Sequence, residues 1–570
     1  MEKWVVTAKR ADFQKIAEEF RIDPVIARLI RNRDVQSMEE IRQYLYGGLS
    51  DIPSPWLLKD METAVEILKQ KIKDKKPVRV IGDYDIDGVM ASYILLKGLR
   101  NLGAVVDTYI PDRVKDGYGL QEELICRAAE DNIDTIVTCD NGIAASAEIA
   151  LAKKMGLTVI VTDHHEVPFE EIDGEKKEIF PPADAIVNPK QKKCAYPNKN
   201  ICGAVTAWKL IWALYEREGF SKKEILSFLE FAAIATVGDV MELQGENRIL
   251  VKEGLKALAT TKNLGLLALM EKNALEPEQV TAYHIGFVLG PCINAGGRLD
   301  TALRSLSLLL SEDWETAAKL AGDLTALNQS RKALTEKGKE DAMVQAETTE
   351  IKNDRVLVIY LPDCHESLAG IIAGKIRELY YKPVFVLTKT ETGVKGSGRS
   401  IEAYSMYEEL TKCSDLMDRF GGHPMAAGLS MKEEYVEIFR RRLNEACTLT
   451  EEDLQPKVVI DVPMPISYIS KKLIGQLSLL EPYGKGNEKP LFAQKEIFVS
   501  GIRIFGKSRN VAKMQVKDTT GTTMDAVYFG EADAFVSYVR GKEKIMITYY
   551  PEINVYQGRE SIQIVIRNYC

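Results

Sequence analysis

The fold of this chain is decided by the stretch Val78-Arg79-Val80-Ile81-Gly82-Asp83-Tyr84-Asp85-Ile86-Asp87-Gly88. Its apolar first half predicts a short buried strand, and residues 89–99 after it predict a helix. Between the two lie carboxylates at alternate positions, Asp83, Asp85 and Asp87. Carboxylates at the carboxyl end of a strand and before a helix lie where open α/β sheets bind their ligands.

Two interpretations of these carboxylates are open from this stretch alone. Negative charges so close together repel one another unless a positive charge lies between them. A divalent metal ion supplies that charge, because hard cations bind carboxylate oxygens. A solvated acidic turn explains the same residues equally well, since charged side chains mostly lie at protein surfaces.

The segments that follow favour the metal interpretation. Further apolar runs alternate with helical patterns, which predicts a parallel sheet with helices on both faces. One predicted strand is followed by Asp140, the next by His164 and His165, and Asp239 follows a strongly apolar segment. Because the carboxyl ends of parallel strands lie on one edge of a sheet, Asp140, His164 and His165 are expected to meet the three aspartates there. Asp239 is a fourth candidate, which its local sequence alone does not favour.

Composition limits the class of protein. The 570 residues suggest about three domains, and 45% hydrophobic content is ordinary for a globular protein. No apolar run reaches the ~20 residues that a membrane helix needs, and the amino terminus lacks a signal-peptide pattern, so a cytoplasmic protein is expected. Nine cysteines without a C-x-x-C pair disfavour zinc, iron–sulfur and disulfide frameworks. The net charge of −8 neither indicates nor excludes nucleic-acid binding.

Changes of pattern along the chain predict its domain organisation. An α/β pattern occurs twice, and short strands with turns follow it. The predicted units are an N-terminal helical region (1–55), a first α/β domain (56–310), a long connecting helix (311–350), a second α/β domain (351–450) and a C-terminal β-barrel (456–570).

Glycine-rich segments indicate where an anion could bind. In the second α/β domain, Ser397 and Arg399 lie in one such segment, and Gly421, Gly422 and His423 lie in another. We expect both to be loops, whose backbone N–H groups can approach a phosphate closely. Together they favour a phosphate-holding face.

Arg298 is a further candidate for phosphate binding. It follows two glycines in the segment 293–300, which is expected to form a tight loop that interrupts a helical region. Arginine suits phosphate because its planar fork donates two parallel hydrogen bonds. A plain structural turn explains this segment about as well.

The C-terminal strands indicate a small barrel of the oligonucleotide-binding type. Basic and aromatic residues there would suit a groove that holds a nucleic-acid single strand by charge and stacking. An ordinary β domain with a solvated basic hairpin is a close alternative. The candidate groove residues are Arg503, Lys507, Arg509, Lys513, Phe505, Tyr528 and Phe529.

Together these motifs resemble the DHH phosphoesterase superfamily, and within it the bacterial single-strand-specific 5′ exonucleases. The matching segments occur in the family's order over most of the chain. They are 82–88, Asp140-Asn141-Gly142, Asp163-His164-His165, Gly238-Asp239, 294–300, Gly421-Gly422-His423-Pro424 and the turn 480–487.

The resemblance implies a DHH domain, a DHH-associated domain and an OB-like barrel, with two Mn²⁺ or Mg²⁺ ions. The implied metal ligands are Asp85, Asp87, Asp140, His164, His165 and Asp239. Asp83 matches a site-lining acid that completes the catalytic set, and it gains importance because Ile81 stands where some relatives have a histidine. The implied substrate-binding residues are Arg298, Ser397, Arg399, Gly421, Gly422 and His423.

The implied function is metal-dependent degradation of single-stranded DNA, 5′→3′, to mononucleotides in DNA repair and recombination. The implied partners are DNA with a 5′ end, a single-strand-binding protein and a helicase, and the chain is expected to be a monomer. Two alternatives are a phosphodiesterase for short oligonucleotides or cyclic dinucleotides and a non-catalytic replication scaffold. The barrel disfavours the first, since a small substrate needs no long groove, and the complete set of acids and histidines disfavours the second.

Overall fold

The computed structural model describes residues 2–112, 119–172, 174–348, 350–391 and 393–570. The chain begins with a short strand and a group of helices, and the first α/β domain follows. The elements up to the end of its sheet are β1 (Lys3–Val6), α1 (Phe13–Phe20), α2 (Pro24–Asn32), α3 (Met38–Tyr46), α4 (Met61–Lys73), β2 (Val78–Ile81), α5 (Ile86–Asn101), β3 (Val106–Tyr109), α6 (Glu122–Glu130), β4 (Thr135–Cys139), α7 (Ser146–Lys154), β5 (Thr158–Thr162), β6 (Phe169–Ile172), β7 (Glu175–Glu178) and β8 (Ala185–Val187).

The central sheet of this domain is parallel, with strand order β3-β2-β4-β5-β8. Strands β2, β4, β5 and β8 are almost fully buried because apolar side chains pack on both faces, whereas the edge strand β3 is partly exposed. On one face lie α5 and α8 (Gly203–Arg217), and on the other lie α6 and α7. The predicted doubly covered parallel sheet is confirmed, and the carboxyl ends of β2, β4 and β5 lie side by side.

Helices complete the first domain and lead out of it. A π-helical segment at Ile285–Leu289 directly precedes the helix that begins at Gly290. After α8, the helices are α9 (Lys222–Ile225), α10 (Leu229–Gly238), α11 (Gly245–Leu258), α12 (Leu264–Lys272), α13 (Ala282–His284), α14 (Gly290–Leu299), α15 (Leu303–Leu309) and α16 (Trp314–Thr348).

Helix α16 is the predicted connecting helix, and it packs on both α/β domains. Its first half packs on α12, α14 and α15, with Leu324 in the core of the first domain. Its second half packs on the second domain, where Gly338 lies against Ile372 and Ala342 is fully buried. Across the described ranges of the chain, every helix is too short or too polar to span a bilayer.

The second domain contains a mixed sheet. Among its described strand pairs, β9 and β10 run parallel, and the other neighbouring strands run antiparallel. Its elements are β9 (Leu357–Tyr360), α17 (Ala369–Tyr380), β10 (Val384–Thr390), β11 (Gly393–Arg399), α18 (Met406–Thr411), β12 (Met417–His423), β13 (Ala426–Met431) and α19 (Val436–Glu445). The strand order is β12-β13-β11-β10-β9.

The C-terminal domain is a closed barrel. Its elements are β14 (Lys457–Ile460), β15 (Val462–Pro463), α20 (Lys471–Leu477), β16 (Phe492–Phe505), β17 (Val511–Lys517), β18 (Thr523–Phe529), α21 (Ala532–Val539), β19 (Ile545–Tyr556) and β20 (Arg559–Tyr569). Strands pair in the ring β16-β17-β18-β20-β19 and back to β16, and the β18–β20 pair is parallel.

The N-terminal region shares its core with this barrel. Strand β1 pairs in parallel with β14, and apolar residues of α1–α3 form one buried cluster with barrel residues such as Phe492 and Tyr549. The region was expected to be helical, and β1 is an addition to that expectation. Short amphipathic helices are stabilised mainly by tertiary packing, and here the partner surface comes from the other end of the chain.

Candidate active site

The first part of the site is the turn between β2 and α5, which the sequence builds locally. Asp85 caps α5, and its Oδ1 accepts hydrogen bonds from the backbone N–H groups of Asp87 (2.9 Å) and Gly88 (3.1 Å). Gly88 is required here, because a Cβ at this position would lie 2.4 Å from the carbonyl oxygen of Asp83. The turn therefore closes tightly and brings its carboxylates to the edge of the sheet.

Asp87 is fixed from a second direction. Its Oδ2 accepts a hydrogen bond from the backbone N–H of Gly203 (2.6 Å), and its Oδ1 accepts one from Ala204 (2.8 Å). Both donors belong to the first turn of α8, where unsatisfied N–H groups and the helix dipole favour a negative charge. This contact joins α8 to the site, and nothing in the local sequence around Asp87 indicates it.

His164 lies at the centre of the acidic residues. Its Nε2 is 3.0 Å from Asp140 Oδ1, 3.6 Å from Asp87 Oδ2 and 3.8 Å from Asp239 Oδ2. Asp140 adopts a left-handed backbone conformation (φ 60°) directly after β4, and Asp239 follows the last residue of α10. Three separate elements thus converge on one imidazole.

Potential ligand atoms fall into overlapping sets, each with all its atoms within 4.8 Å of one another. Asp140 and His164 each occur in two sets, so the sets form one continuous cluster. The predicted site residues of the first domain, apart from Arg298, are all brought together in it. The sets are Asp83/Asp85/Asp140, Asp140/His164/His165 and Asp87/His164/Asp239.

The cluster is electrostatically strained without a cation. Burial, followed by the charge of Asp87, raises the pKa of Asp85. Burial and the charges of Asp87, Asp85 and Asp83 raise the pKa of Asp140 well above its ordinary value. Burial with the charges of Asp87 and Asp85 raises the pKa of Asp239 to about 8. Burial lowers the pKa of His164, which leaves its imidazole neutral and able to bind a metal.

Asp163 holds the second histidine. Its Oδ1 lies 2.7 Å from His165 Nδ1 and accepts the backbone N–H groups of His164 and His165, while Oδ2 accepts the N–H of Ile143 (2.9 Å). Burial is the largest influence and would raise the pKa of Asp163, but the hydrogen bond and charge of His165, the N–H of Ile143 and the charge of His164 together lower that pKa. Burial would lower the pKa of His165, and the hydrogen bond and charge of Asp163 raise it to about 9.

Sequence reasoning quoted Asp163 as part of a motif but assigned it no role. Asn294 was likewise quoted in a motif without a role, and its Oδ1 accepts the backbone N–H of Ile86 (2.8 Å) in the middle of the carboxylate turn. Asp163 directly precedes the candidate ligands His164 and His165, and this position could have indicated its role from the sequence. For Asn294 the signal was weaker, because it lies about 200 residues away from the turn that it holds.

The donor set fits one or more divalent metal ions. Carboxylate oxygens and imidazole nitrogens are ligands that Mn²⁺ and Mg²⁺ accept, with oxygen preferred. Asp140 Oδ1 and His164 Nδ1 are buried and make no hydrogen bond among the residues that the structure describes. Buried polar atoms normally have a partner, so these atoms and the mutually repelling carboxylates are suited to a bound cation.

The second domain presents all of its candidate substrate residues except Gly422 on one face of its sheet. Arg399 in β11 lies opposite Ala426 in β13, which lies opposite His423 in β12. Residues in such a row project to the same face, with roughly 10 Å between positions two strands apart. The glycine-rich segments were expected to be loops, and this was wrong: both form strands that pair antiparallel with their neighbours in the mixed sheet.

A parallel row extends this face. Ser397 lies opposite Gly428, which lies opposite Gly421, two residues along from the row of Arg399. Gly422 lies in the alternate row, which projects to the opposite face. The glycines of this sheet have no side chains, so other groups can approach its backbone. The sequence analysis expected such close approach to a phosphate from loops rather than from strands.

The face lies beside the N-terminus of α17. A Cβ placed on Gly370 would lie 2.9 Å from Arg399 Nη2 and 3.5 Å from the Cβ of Ser397. The helix start contributes N–H groups that favour an anion, beside the guanidinium of Arg399. The predicted phosphate-holding face is therefore formed by strands β11, β13 and β12 together with the N-terminus of α17.

Arg298 links the two α/β domains. It was expected in a tight loop, but α14 continues through Leu299 and places Arg298 in its last turn. The two glycines do not break the helix because α14 packs closely there: a Cβ on Gly297 would lie 2.3 Å from the carbonyl oxygen of Tyr84. Arg298 Nη1 donates a hydrogen bond to the carbonyl oxygen of Ser367 (2.9 Å), just before α17.

Family models match three segments of the chain. Residues 77–236 match the DHH family N-terminal domain, residues 353–449 match the DHHA1 domain, and residues 460–568 match the RecJ OB domain.

Curated relatives match over nearly the whole chain. The single-stranded-DNA-specific exonuclease RecJ of Bacillus subtilis (strain 168) is 34% identical over 99% of this chain and 70% of its own length. The protein of the same name from Salmonella typhimurium is 33% identical over 96% of this chain and 95% of its own length. The chain belongs to the RecJ family.

A solved RecJ structure shares the fold. The crystal structure of RecJ from Thermus thermophilus in complex with Mn²⁺ has a TM-score of 0.84 and 28% sequence identity. The match covers 100% of this chain and 79% of that chain. The predicted DHH, DHH-associated and OB-like architecture is confirmed.

The RecJ OB domain carries an exposed aromatic row flanked by basic residues. Phe505, Val511 and Phe529 lie opposite one another on adjacent strands, and both phenylalanines are exposed. Arg503 and Lys513 form the neighbouring pair, with Lys513 Nζ 5.7 Å from the centre of the Phe505 ring.

Two predictions for this domain need correction or refinement. Tyr528 was predicted to face a nucleic acid, but it is partly buried and packs against the core, where its ring stacks on Phe535. Alternation along β18 explains the error, because adjacent residues of a strand project to opposite faces. Arg509 is exposed and pairs with both carboxylate oxygens of Asp533 (2.7 and 2.8 Å).

Proposed function

We propose that this chain is an exonuclease that uses two Mn²⁺ or Mg²⁺ ions to degrade single-stranded DNA, 5′→3′, to mononucleotides. The observation that carries the proposal is the carboxylate–histidine cluster joined through Arg298 to the next domain, whose sheet carries Arg399 and His423 on one face. Such a site combines the groups that phosphodiester hydrolysis needs, namely metal ligands and fixed positive charge. The names of the RecJ relatives describe single-stranded-DNA-specific exonucleases.

The proposed metal ligands are the residues that the cluster brings together. Two divalent ions, when bound, lower the pKa of a bridging water and stabilise the phosphoryl oxygens. The shared positions of Asp140 and His164 suit a pair of adjacent ions, and Asp83 contributes an acid where Ile81 has no ligand atom. The set is Asp83, Asp85, Asp87, Asp140, His164, His165 and Asp239.

The second domain is proposed to hold the substrate phosphates. Arg399 and His423 share one sheet face, and Ser397 adds a hydroxyl to it. Arg298 adds a guanidinium at the junction of the domains, where it can stabilise negative charge that develops on the phosphoryl oxygens. Gly421 has no side chain, so a phosphate can come close to the backbone of β12 at this position. Gly422 is the next residue of the same strand.

Strand selectivity is proposed to be steric. A single strand enters the space between the α/β domains, and a duplex about twice as wide does not. The barrel adds stacking on Phe505 and Phe529 and charge from Arg503 and Lys513, which suits a long single strand. We extend the proposal to a monomer that acts in the cytoplasm in DNA repair and recombination, with a single-strand-binding protein and a helicase as partners, because these act on the same DNA.

The decisive assay compares end-blocked single-stranded and double-stranded DNA, with and without Mn²⁺ or Mg²⁺. We expect metal-dependent release of mononucleotides from single strands with a free 5′ end. Asp140→Ala should abolish it. Asp134→Ala is a matched control, since Asp134 precedes the same strand that Asp140 follows and pairs with Lys71 away from the cluster.

Other results would contradict the proposal. Cleavage restricted to dinucleotides would indicate a phosphodiesterase for short substrates. Single-strand binding without metal-dependent cleavage would indicate a scaffold. Full activity of Asp140→Ala would show that the cluster is not the active site.

A further inference from the structure

Two aromatic side chains outside the described site are stacked and largely exposed. Tyr283 and Phe287 have 63% and 66% of their surface exposed, and their ring centres are 4.9 Å apart with planes at 27°. They lie one helical turn apart, at the start of the segment that leads into α14. Exposed aromatic rings held in parallel offer flat apolar surface to a ligand that stacks.

The segment that carries them packs against side chains that neighbour the metal cluster in sequence. A Cβ on Gly286 would lie 3.7 Å from Val237 Cγ1, two residues before Asp239. One turn later, a Cβ on Gly290 would lie 3.4 Å from the side chain of Ile86, between Asp85 and Asp87. The inward side of this segment therefore contacts residues that lie next to the candidate ligands in sequence, and the aromatic pair projects from the same few turns. The segment is π-helical at Ile285–Leu289, a geometry that occurs frequently at functional sites.

The same helical segment reaches the second domain at its other end. Asn294 holds the carboxylate turn, and Arg298 donates to the carbonyl oxygen of Ser367. At 1.5 Å per residue, Phe287 lies roughly 16 Å along the segment from Arg298. The segment thus runs from the phosphate-binding face, past the metal cluster, to the aromatic pair.

The chain beyond Asp239 leads from this point towards the barrel. Val240 is 60% exposed and adopts a left-handed conformation (φ 56°) that is rare for a β-branched residue. The N–H of Leu243 donates to the carbonyl oxygen of Lys485 (2.8 Å). Lys485 belongs to residues 478–491, the segment before the barrel strands, which connects α20 to β16. The aromatic pair therefore lies on the side of the cluster where the first domain meets the C-terminal domain.

We propose that Tyr283 and Phe287 form a stacking platform for bases of the DNA strand between the metal cluster and the barrel. The inference rests on the proposed function, since it assigns further contacts to the same substrate. With the end phosphate held at Arg399 and the scissile phosphate at the cluster, the following nucleotides pass along α14 to the pair. Aromatic rings stack on any base, so the platform supports binding without sequence preference.

The test uses the full-length protein with Tyr283→Ala and Phe287→Ala combined. We expect KM for a long single strand to rise about tenfold while kcat changes little, because stacking contributes to binding. The ring-retaining combination Tyr283→Phe with Phe287→Tyr should keep the wild-type KM. Trp314→Ala is the control for loss of an exposed aromatic ring, at the start of α16 (45% exposed). Thermal midpoints of all variants show whether each one folds.

Abasic nucleotides locate the contact on the DNA. A single abasic position is moved along the strand from the 5′ end, and KM is measured for each substrate. Wild-type protein should show a raised KM at one or two adjacent positions, and the double alanine variant should lose this position dependence.

The remaining outcomes overturn the inference. An active wild-type protein with the same KM and the same abasic profile as the double alanine variant would overturn the platform alone and leave the proposed function standing. A dimer by light scattering that the alanine variant converts to an equally active monomer would show that the pair joins two copies of the chain. A wild-type protein inactive on single-stranded DNA would overturn both proposals.

Discussion

At the scale of single residues, Asp163 positions ligands without lying in any of the potential ligand sets. Its carboxylate fixes the orientation of His165 and the backbone of both histidines. Mutation of a residue that hydrogen-bonds to a metal ligand typically lowers metal affinity or activity by about 10- to 100-fold. Asp163→Asn should therefore lower nuclease activity by that factor and raise the Mn²⁺ concentration needed for half-maximal rate. An unchanged Mn²⁺ dependence, with an unchanged thermal midpoint, would contradict this role.

Glu230 provides a pH-dependent prediction away from the active site. It is 8% exposed, it accepts a hydrogen bond from Thr261 (2.9 Å), and burial raises its pKa from 4.5 to about 7. An acid with a higher pKa in the folded state binds more protons there, so its contribution to stability falls as pH rises from 4.5 to 7. Such a shift corresponds to about 3 kcal/mol.

Glu230→Gln should remove this loss of stability. The thermal midpoint of the wild-type protein, measured in EDTA at pH 5 and pH 8, should fall more between the two than that of the variant. The difference between the two proteins isolates Glu230 from the carboxylates of the metal cluster, which also titrate. Equal falls for both would mean that Glu230 is solvated in solution.

At the scale of elements, close packing of α14 on the carboxylate turn sets the shape of the site. Gly297→Ala should push α14 away from Tyr84, because its Cβ has no room against that carbonyl oxygen. We expect at least a tenfold loss of nuclease activity and a lower thermal midpoint. Gly374→Ala is the matched control in α17, where nothing lies within 4 Å of the new Cβ.

The control substitution should act in the opposite direction on stability. Alanine favours a helix interior over glycine by roughly 0.5–1 kcal/mol. Gly374→Ala should therefore raise the thermal midpoint slightly and leave activity unchanged. The same result for Gly297→Ala would mean that α14 is not pressed against the turn.

At the scale of the whole molecule, Arg248 fastens the first domain to the C-terminal part of the chain. It is 1% exposed, and it donates hydrogen bonds to the carbonyl oxygens of Tyr44, Leu479, Leu480 and Glu481 at 2.8 to 3.0 Å. Each buried acceptor left without a donor costs about 1–3 kcal/mol. The arginine thus holds helix α3, α11 and the segment before the barrel in one arrangement.

Arg248→Met should lower the free energy of unfolding by at least about 3 kcal/mol, because several acceptors lose their donor at once. The measurement is the denaturant midpoint, together with limited proteolysis of the segment before the barrel. Arg441→Met is the control, since Arg441 is an exposed arginine 3.9 Å from Glu437. A variant as stable as the control would show that water replaces the guanidinium without cost.

The barrel surface is tested by removing one aromatic ring and one charge. Phe505→Ala with Lys513→Ala should weaken binding of long single strands and reduce the salt dependence of binding by about one unit of slope. Cleavage of short oligonucleotides should persist. Arg509→Ala should have a smaller effect, because Asp533 already pairs with that guanidinium. Equal loss on long and short substrates would mean that the barrel is structural.

Much of the fold was predictable because its signals are local. Apolar runs of strand length, helical periodicity and the acids and histidines after strands are all visible in the sequence, and the parallel sheet that they predict is the one observed. The positions of Arg298 and of the glycine-rich strands were not predictable in this way. Glycines in a helix or strand resemble turn residues until a close neighbour, such as the Tyr84 carbonyl at Gly297, explains them.

The amino-acid sequence was enough to predict the order of the domains, the edge of the sheet that carries the candidate site and the acids and histidines that meet there. Which distant groups complete that site depends on tertiary packing. Three hydrogen bonds of the site join residues about 70 to 210 positions apart. They link the start of α8 to Asp87, Asn294 to the carboxylate turn, and Arg298 to Ser367. Such contacts depend on how helices pack, and packing is set by the whole set of side chains rather than by any local pattern.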